Sequence, residues 1–393
     1  MNADWIIFIV FLLPVAALSG WWAAKMSGNR TKTDKQQHQI YPEYFKGLNY
    51  VLNEQPDKAI EIFVKMMEVD SETVETHLAL GNLFRRRGEV DRAIRIHQNL
   101  IARPTLDKEY REQALLELGM DYMRLGILDR AEGLFSELIT SDMLTDQALT
   151  NLLDIYQQEQ DWRKAISTAR RLEASTGKRL ESVSAQFYCE LASTALKNNN
   201  EKEARSNLKR SLNLDPKCVR ASLLEAEMAQ KSANYRAAIK AYRRIEKQDP
   251  EYLPEVMVPI RECYQAAGNA EKYIEYLYEI LNNYGGITPL LFLTDEIART
   301  RGNDEAIRFI SEELRKRPSV RGVDHLIKYA ISKTDGELHK NLSTIKELTT
   351  RLLQERPVYK CTFCGFDAKN LHWHCPGCKS WNTVKPVHGV QGE

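Results

Sequence analysis

The chain lacks an excess of charge of either sign: 55 Lys and Arg stand against 54 Asp and Glu, a formal net charge of +1. Proteins that grip nucleic acid through its phosphates carry strongly basic domains, so this balance speaks against that role and leaves protein partners open. The apparatus of catalysis is equally sparse. No nucleophile–base constellation stands out, and the "GKR" at Gly177 has no Gly-x-x-x-x-Gly spacing before it, so it is not a phosphate-binding loop. Cysteine is scarce outside one place. Cys189, Cys218 and Cys263 lie singly and read as buried small hydrophobes or inert surface thiols. The other four fall within "CTFCGFDAKNLHWHCPGC" near the C-terminus.

Long apolar runs are also missing, with one exception. Residues 5–24, "WIIFIVFLLPVAALSGWWAA", carry no charge over 20 positions. At about 1.5 Å per residue a helix of that length reaches roughly 30 Å, the thickness of a bilayer's hydrocarbon. Trp5, Trp21 and Trp22 stand near its ends, where amphipathic rings favour the lipid–water interface, and Pro14 is tolerable in a span. A cleaved secretory signal would need a basic start, but only Asp4 precedes the run. The cations follow it, at Lys25, Arg30, Lys32 and Lys35 against Asp34, which places the bulk of the chain on the cytoplasmic side. The expectation is therefore a membrane helix over 1–24, a juxtamembrane linker over 25–40, and a reducing environment for the cysteines.

Beyond the linker the chain repeats itself. A small residue recurs at Ala59, Ala93, Ala131, Ala165, Ala204, Ala238 and Ala306, with Tyr273 in the slot before the last. The successive gaps are 34, 38, 34, 39, 34, 35 and 33. A period near 34 resembles the tetratricopeptide repeat, a pair of antiparallel helices. Other positions keep register. Twelve residues earlier stand Gly47, Gly81, Gly119, Leu153, Ala192, Ala226, Arg261 and Thr294; nine earlier, Tyr50, Phe84, Tyr122, Tyr156, Ala195, Ala229, Tyr264 and Ile297. Four later come Phe63, His97, Phe135, Ala169, Leu208, Tyr242, Leu277 and Ile310, and twelve later Pro216, Pro250 and Pro318 close second helices. Small residues let two helices approach, and their larger partners fill the space left. Arg261, Tyr273 and Thr294 break the pattern in repeats seven and eight. The two longer gaps place insertions in inter-repeat loops, around "RPTLDKEYREQ" and "STGKRLESVS". The predicted architecture is an all-α repeat array of about eight pairs over 41–319, with capping helices over 320–356.

An array of this kind buries its core by stacking and offers a long surface to protein segments. In tetratricopeptide proteins the first helix of each repeat lines that surface. In this register Asn82, Arg85, Asp154, Gln157, Glu227 and Gln230 either face the groove or belong to an ordinary solvated helix face.

The C-terminal region, 357–393, holds Cys361-x-x-Cys364 and Cys375-x-x-Cys378. Two residues between thiolates let a tight turn aim both at one ion, and two such knuckles complete a tetrahedron. One metal ion is expected, and zinc and iron both suit four thiolates. His372 and His374 are close in sequence but unnecessary to a complete set. Phe366, Trp373 and Trp381 are expected as the small core that a chain this short cannot form without metal. A thioredoxin-like dithiol would need a larger domain, and a nucleic-acid-binding ribbon a denser basic patch than Lys360, Lys369, Lys379 and Lys385. A metal-stapled module that docks on the repeats or on a partner is the remaining reading.

"CTFCGF" with "CPGCKSW" resembles the paired knuckles of rubredoxin. Lys379 stands where the second knuckle's glycine is usual, and the intervening loop is shorter, departures that speak against electron transfer. The order of apolar anchor, repeats and four-cysteine module over nearly the whole chain resembles the lipopolysaccharide assembly protein B family. That resemblance implies a fold with one N-terminal inner-membrane helix, a cytoplasmic repeat solenoid and a rubredoxin-like metal domain, with Cys361, Cys364, Cys375 and Cys378 as ligands. It implies a regulator rather than an enzyme: an adaptor that presents the lipid A pathway deacetylase LpxC to the membrane protease FtsH, opposed by an inner-membrane sensor protein. A homo-oligomer is compatible with it. The rival is a membrane-tethered scaffold or chaperone for envelope assembly that takes no part in proteolysis.

Overall fold

The computed structural model describes residues 74–393 with few gaps, together with a handful of earlier residues. Most of the expected membrane helix, the linker and most of the first repeat lie outside the described residues. Of the apolar run only Trp21 and Trp22 fall within them, both helical and exposed. Among the described residues no helix is long and apolar enough to cross a membrane.

The helices come in pairs. They are α1 (Val74–Arg87), α2 (Val90–Ile101), α3 (Lys108–Leu125), α4 (Leu128–Thr140), α5 (Thr145–Gln158) and α6 (Trp162–Thr176). There follow α7 (Glu181–Lys197), α8 (Glu201–Leu214), α9 (Val219–Lys231), α10 (Tyr235–Gln248), a 3-10 turn (Pro250–Tyr252) and α11 (Leu253–Ala266). The last are α12 (Ala270–Asn283), α13 (Ile287–Arg301), α14 (Asn303–Lys316), α15 (Val320–Ile331) and α16 (Gly336–Gln354). Two compact units divide within α5, Met1–Asn151 and Leu152–Glu393.

The repeat signature has a direct steric cause. A Cβ built on Gly119 would meet the Phe135 ring at 2.6 Å, and one on Gly81 would meet the His97 ring at 2.3 Å. Glycine in the first helix is thus the seat for the large side chain that the second helix lays over it. The small residues Ala93, Ala131, Ala165, Ala204, Ala238 and Ala306 are wholly buried at the crossings. In repeat seven Tyr273 takes the small-residue slot and is still 1% exposed. It fits because its ring tilts against Tyr264 at 5.6 Å, while the Arg261 guanidinium turns away over Phe292.

Two features were not legible beforehand. The insertions are not simply loops, because α3 and α7 are lengthened to 18 and 17 residues and absorb much of the extra sequence as another helical turn. The turn inside six of the pairs, α1–α2 to α11–α12, also uses one left-handed residue, five before the small residue: Gly88, Gly126, Gln160, Asn199, Ala233 and Gly268. Asp161, Asn200 and Asn234 then cap α6, α8 and α10 with their side chains. Helices α8, α10 and α14 each stop two residues before Pro216, Pro250 and Pro318, because the residue preceding proline is pushed out of helical conformation.

The C-terminal module is a three-stranded antiparallel sheet of order β2-β1-β3, from β1 (Tyr359–Cys361), β2 (Asp367–Ala368) and β3 (Val384–Pro386). It belongs to the second unit, as do α13 and α15. Asp295 of α13 accepts from His325 Nε2 at 2.9 Å and from the Tyr329 hydroxyl, both on α15. Burial alone would raise its carboxyl, but those hydrogen bonds and the nearby Lys328 outweigh it and bring it down to about 2.

Gly119→Ala should lower unfolding stability by about 1–3 kcal/mol through overpacking. Gly133→Ala, whose Cβ would meet nothing within 4 Å, should raise it by up to about 1 kcal/mol; urea unfolding of both variants checks the contrast. A carboxyl held low when folded supports stability above its unfolded value near 4 and loses that support as pH falls towards 2. Protection of the α15 amides should therefore fall across that acid window. Asp295→Asn should weaken the dependence without removing it, because Asp324 on α15, despite partial burial, is also held low by Lys346 and Thr349.

Candidate metal centre and the face it covers

Each Cys-x-x-Cys knuckle ends in a left-handed residue, Gly365 at φ +77° and Lys379 at φ +59°. The second knuckle therefore keeps the glycine's conformation with a lysine, at a strain of about 1–2 kcal/mol. Both turns close on backbone bonds, Gly365 N–H to Cys361 O at 3.0 Å and Lys379 N–H to Cys375 O at 2.9 Å. The result brings Sγ of Cys361, Cys364, Cys375 and Cys378 within 4.8 Å of one another. Cys361 to Cys378 is 3.8 Å and Cys364 to Cys375 is 3.7 Å. A tetrahedron of sulfurs about 2.3 Å from a central ion has edges of about 3.8 Å, so the donor set fits a four-thiolate metal.

The electrostatics ask for that cation. Burial raises the Cys361 thiol, but the Thr383 hydroxyl and the Cys364 and Phe363 amides outweigh it and lower it to about 6. The Phe366 amide pulls Cys364 down, yet burial and the neighbouring thiols push it up to about 11. Four thiolates cannot share this space without a positive ion to offset their repulsion. One metal ion is what the centre is built to hold. Neither histidine is among the four clustered ligands: His374 Nε2 lies 2.8 Å from Lys379 O, and the ring stacks on Trp381.

The expected aromatic core needs correction. Phe366 packs inside the module with Tyr359, Ala368, Leu371 and Val384, but Trp373 and Trp381 do not. A module of this size has no interior large enough for two indoles, so both face the helices. Trp381 meets Trp162 and Phe187 edge-on, at 6.0 and 5.7 Å, and donates Nε1–H to Gln157 Oε1 at 2.7 Å. Trp373 stacks on Tyr252 at 5.4 Å beneath the Arg220 guanidinium. Tyr252 donates to Asn382 Oδ1 at 2.9 Å, Tyr359 to Glu255, and Lys385 pairs with Asp249 at 2.8 Å and Glu251 at 2.5 Å. The module thus lies across the first helices α5, α7, α9 and α11. Its two anchoring indoles bracket the knuckle Cys375–Cys378, so the ion that closes the knuckle also sets their spacing.

The groove candidates separate by environment. Gln157 is engaged by the module itself. Asp154 and Glu227 remain exposed on α5 and α9, and Gln230 links Tyr242 and Glu262. Arg85, with Asn82 beside it, belongs to an internal network: its guanidinium pairs with Glu117 at 2.6 Å and with the fully buried Asp121 at 2.9 Å. Asp121 also receives His97 Nδ1 at 2.6 Å. Arg85 therefore ties α1 to α3 within the first unit. Sequence reasoning missed Trp162, Phe187, Arg220 and Tyr252, since contacts across more than a hundred residues leave no periodic trace.

Helical pairs joined to a four-cysteine module define the class: a tetratricopeptide-repeat protein with a rubredoxin-type metal domain. A family model described as a rubredoxin metal binding domain matches residues 359–386, and tetratricopeptide repeat models match 76–109 and 189–252. Lipopolysaccharide assembly protein B of Escherichia coli is 36% identical over 386 residues, 98% of this chain and 99% of that one. The Haemophilus influenzae protein of the same name is 33% identical over 392 residues, covering 96% and 98%. The chain belongs to the lipopolysaccharide assembly protein B family.

Chelating the metal from the full-length protein should raise amide exchange both in 359–386 and around Gln157, Phe187 and Tyr252. Trp381→Ala should expose the same surface while metal analysis still finds one ion per chain; protection that survives chelation would contradict the coupling.

Proposed function

We propose that this protein is a membrane-tethered adaptor in lipopolysaccharide assembly, which limits synthesis by presenting the deacetylase LpxC to an FtsH-type protease. The observation that carries the reading is end-to-end similarity to proteins named for lipopolysaccharide assembly, combined with a site that holds metal for docking rather than turnover. Four clustered thiolates would fill the coordination sphere of one ion, which would leave no open position for a substrate. The apolar run 5–24 would keep the chain in the membrane plane and raise its effective concentration near a membrane protease. Asp154 and Glu227 offer polar contacts beside the module to the bound segment. An inner-membrane sensor that competes for the adaptor would relieve the restraint.

In cells lacking the protein the half-life of LpxC should lengthen several-fold and return to normal on complementation. An unchanged half-life, with envelope defects still present, would favour the scaffold reading. A chain without residues 1–24 should bind its partners yet restore turnover only when overproduced.

A further inference from the structure

Cys189 and Cys218 are dispersed in the sequence but not in space. Cys189 lies in the middle of α7 and Cys218 caps the start of α9, and their sulfurs approach to 3.7 Å. Both are buried, at 0% and 1% exposure, among Ala185, Ala192 and Ala221. Such a separation is van der Waals contact between two thiols, and a shift of under about 2 Å would bring it to bonding distance. We propose that Cys189 and Cys218 form a reversible disulfide, a redox-sensitive staple between first helices beneath the metal module, closed by hydroperoxides and reopened by thiols.

The surroundings assign the two roles. Cys218 receives the Gln186 amide at 3.5 Å and sits at the positive end of α9. Hydrogen bonding from Cys189, with help from Ser211 and the Ala221 amide, brings its thiol to about 7 against the opposing effect of burial. Burial raises Cys189 well above the ordinary thiol. Cys218 is thus the attacking sulfur and Cys189 the resolving one. The exposed Pro216–Lys217 turn immediately precedes Cys218, so opening of that turn admits a small oxidant. The Cys218 thiolate attacks one peroxide oxygen, the O–O bond breaks, and the departing hydroxide takes a proton to leave as water. The Cys189 sulfur then attacks the sulfenic sulfur, its proton and the hydroxyl leave as a second water, and the S–S bond forms. The thiols lose two electrons in all, and the peroxide gains them.

The position gives the bond a consequence. Arg220, two residues after Cys218, pairs with Glu190, next to Cys189, at 2.9 Å and covers Trp373. The disulfide therefore joins the same two helices whose ion pair holds the module's anchor. Cys263, also buried, is not paired with either sulfur in this way: its thiol is simply pushed up to about 11 by burial and by Glu262.

Metal-loaded full-length protein should be treated with hydrogen peroxide, quenched by alkylation in denaturant, and digested without reductant. The expected product is one peptide pair joined through Cys189 and Cys218, lost on dithiothreitol treatment, with amide exchange in α9 slowed several-fold while it persists. Cys189→Ala should leave a sulfenic acid at Cys218 that dimedone traps, and Cys218→Ala should leave Cys189 reduced; alanine suits the small-residue packing at both sites. Full recovery of both residues as alkylated thiols after excess peroxide would overturn the proposal. So would irreversible oxidation of wild-type Cys218 with Cys189 untouched.

Discussion

Four sulfurs held within 4.8 Å of one another form the constraint on which the C-terminal half depends. Without a cation they repel as they ionise; with one they lock two turns that no apolar core of this size could fix. The lock acts beyond the module. Because Trp373 and Trp381 flank the second knuckle, closing it also helps place the two indoles that meet the helices below. Metal binding, module folding and docking are thereby parts of one equilibrium. The four thiolates thus brace a module that docks on helices of its own chain.

The repeat array rests on a different principle, the exchange of small for large across a helix crossing. That principle is written openly in the sequence. Gly81 with His97, Gly119 with Phe135, and the run of buried alanines all follow a fixed spacing, so the helical pairs and their buried faces could be read from it. The metal ligands were equally legible, because Cys-x-x-Cys is a local geometric device. Local rules failed where side chains answer to distant neighbours. Trp373 and Trp381 looked like a core because nothing near them in sequence shows the Tyr252, Trp162 and Phe187 rings awaiting them. Arg85 looked like a groove residue because Asp121 and Glu117 lie a repeat away. Cys189 and Cys218 looked solitary for the same reason.

Departures from the repeat pattern were less disruptive than their residue types suggest. Tyr273 occupies an alanine's slot by tilting against Tyr264 while Arg261 swings aside, and Gln160, Asn199 and Ala233 accept a turn conformation that glycine would adopt freely. The array tolerates them because each crossing is satisfied by its own neighbours. That independence ends on the first-helix face, where the module joins four helices at once.

The hydrogen bond from Trp381 to Gln157 joins residues 224 apart in the chain. Helical pairs need only adjacent sequence and can form while the chain is still being made, whereas this contact must wait for a residue 224 positions further on. Completion of the dock is therefore a late event in the molecule's own assembly. A chain cut short before the second knuckle would hold well-formed repeats with an uncovered face, so a seated module reports that both knuckles have been made and closed.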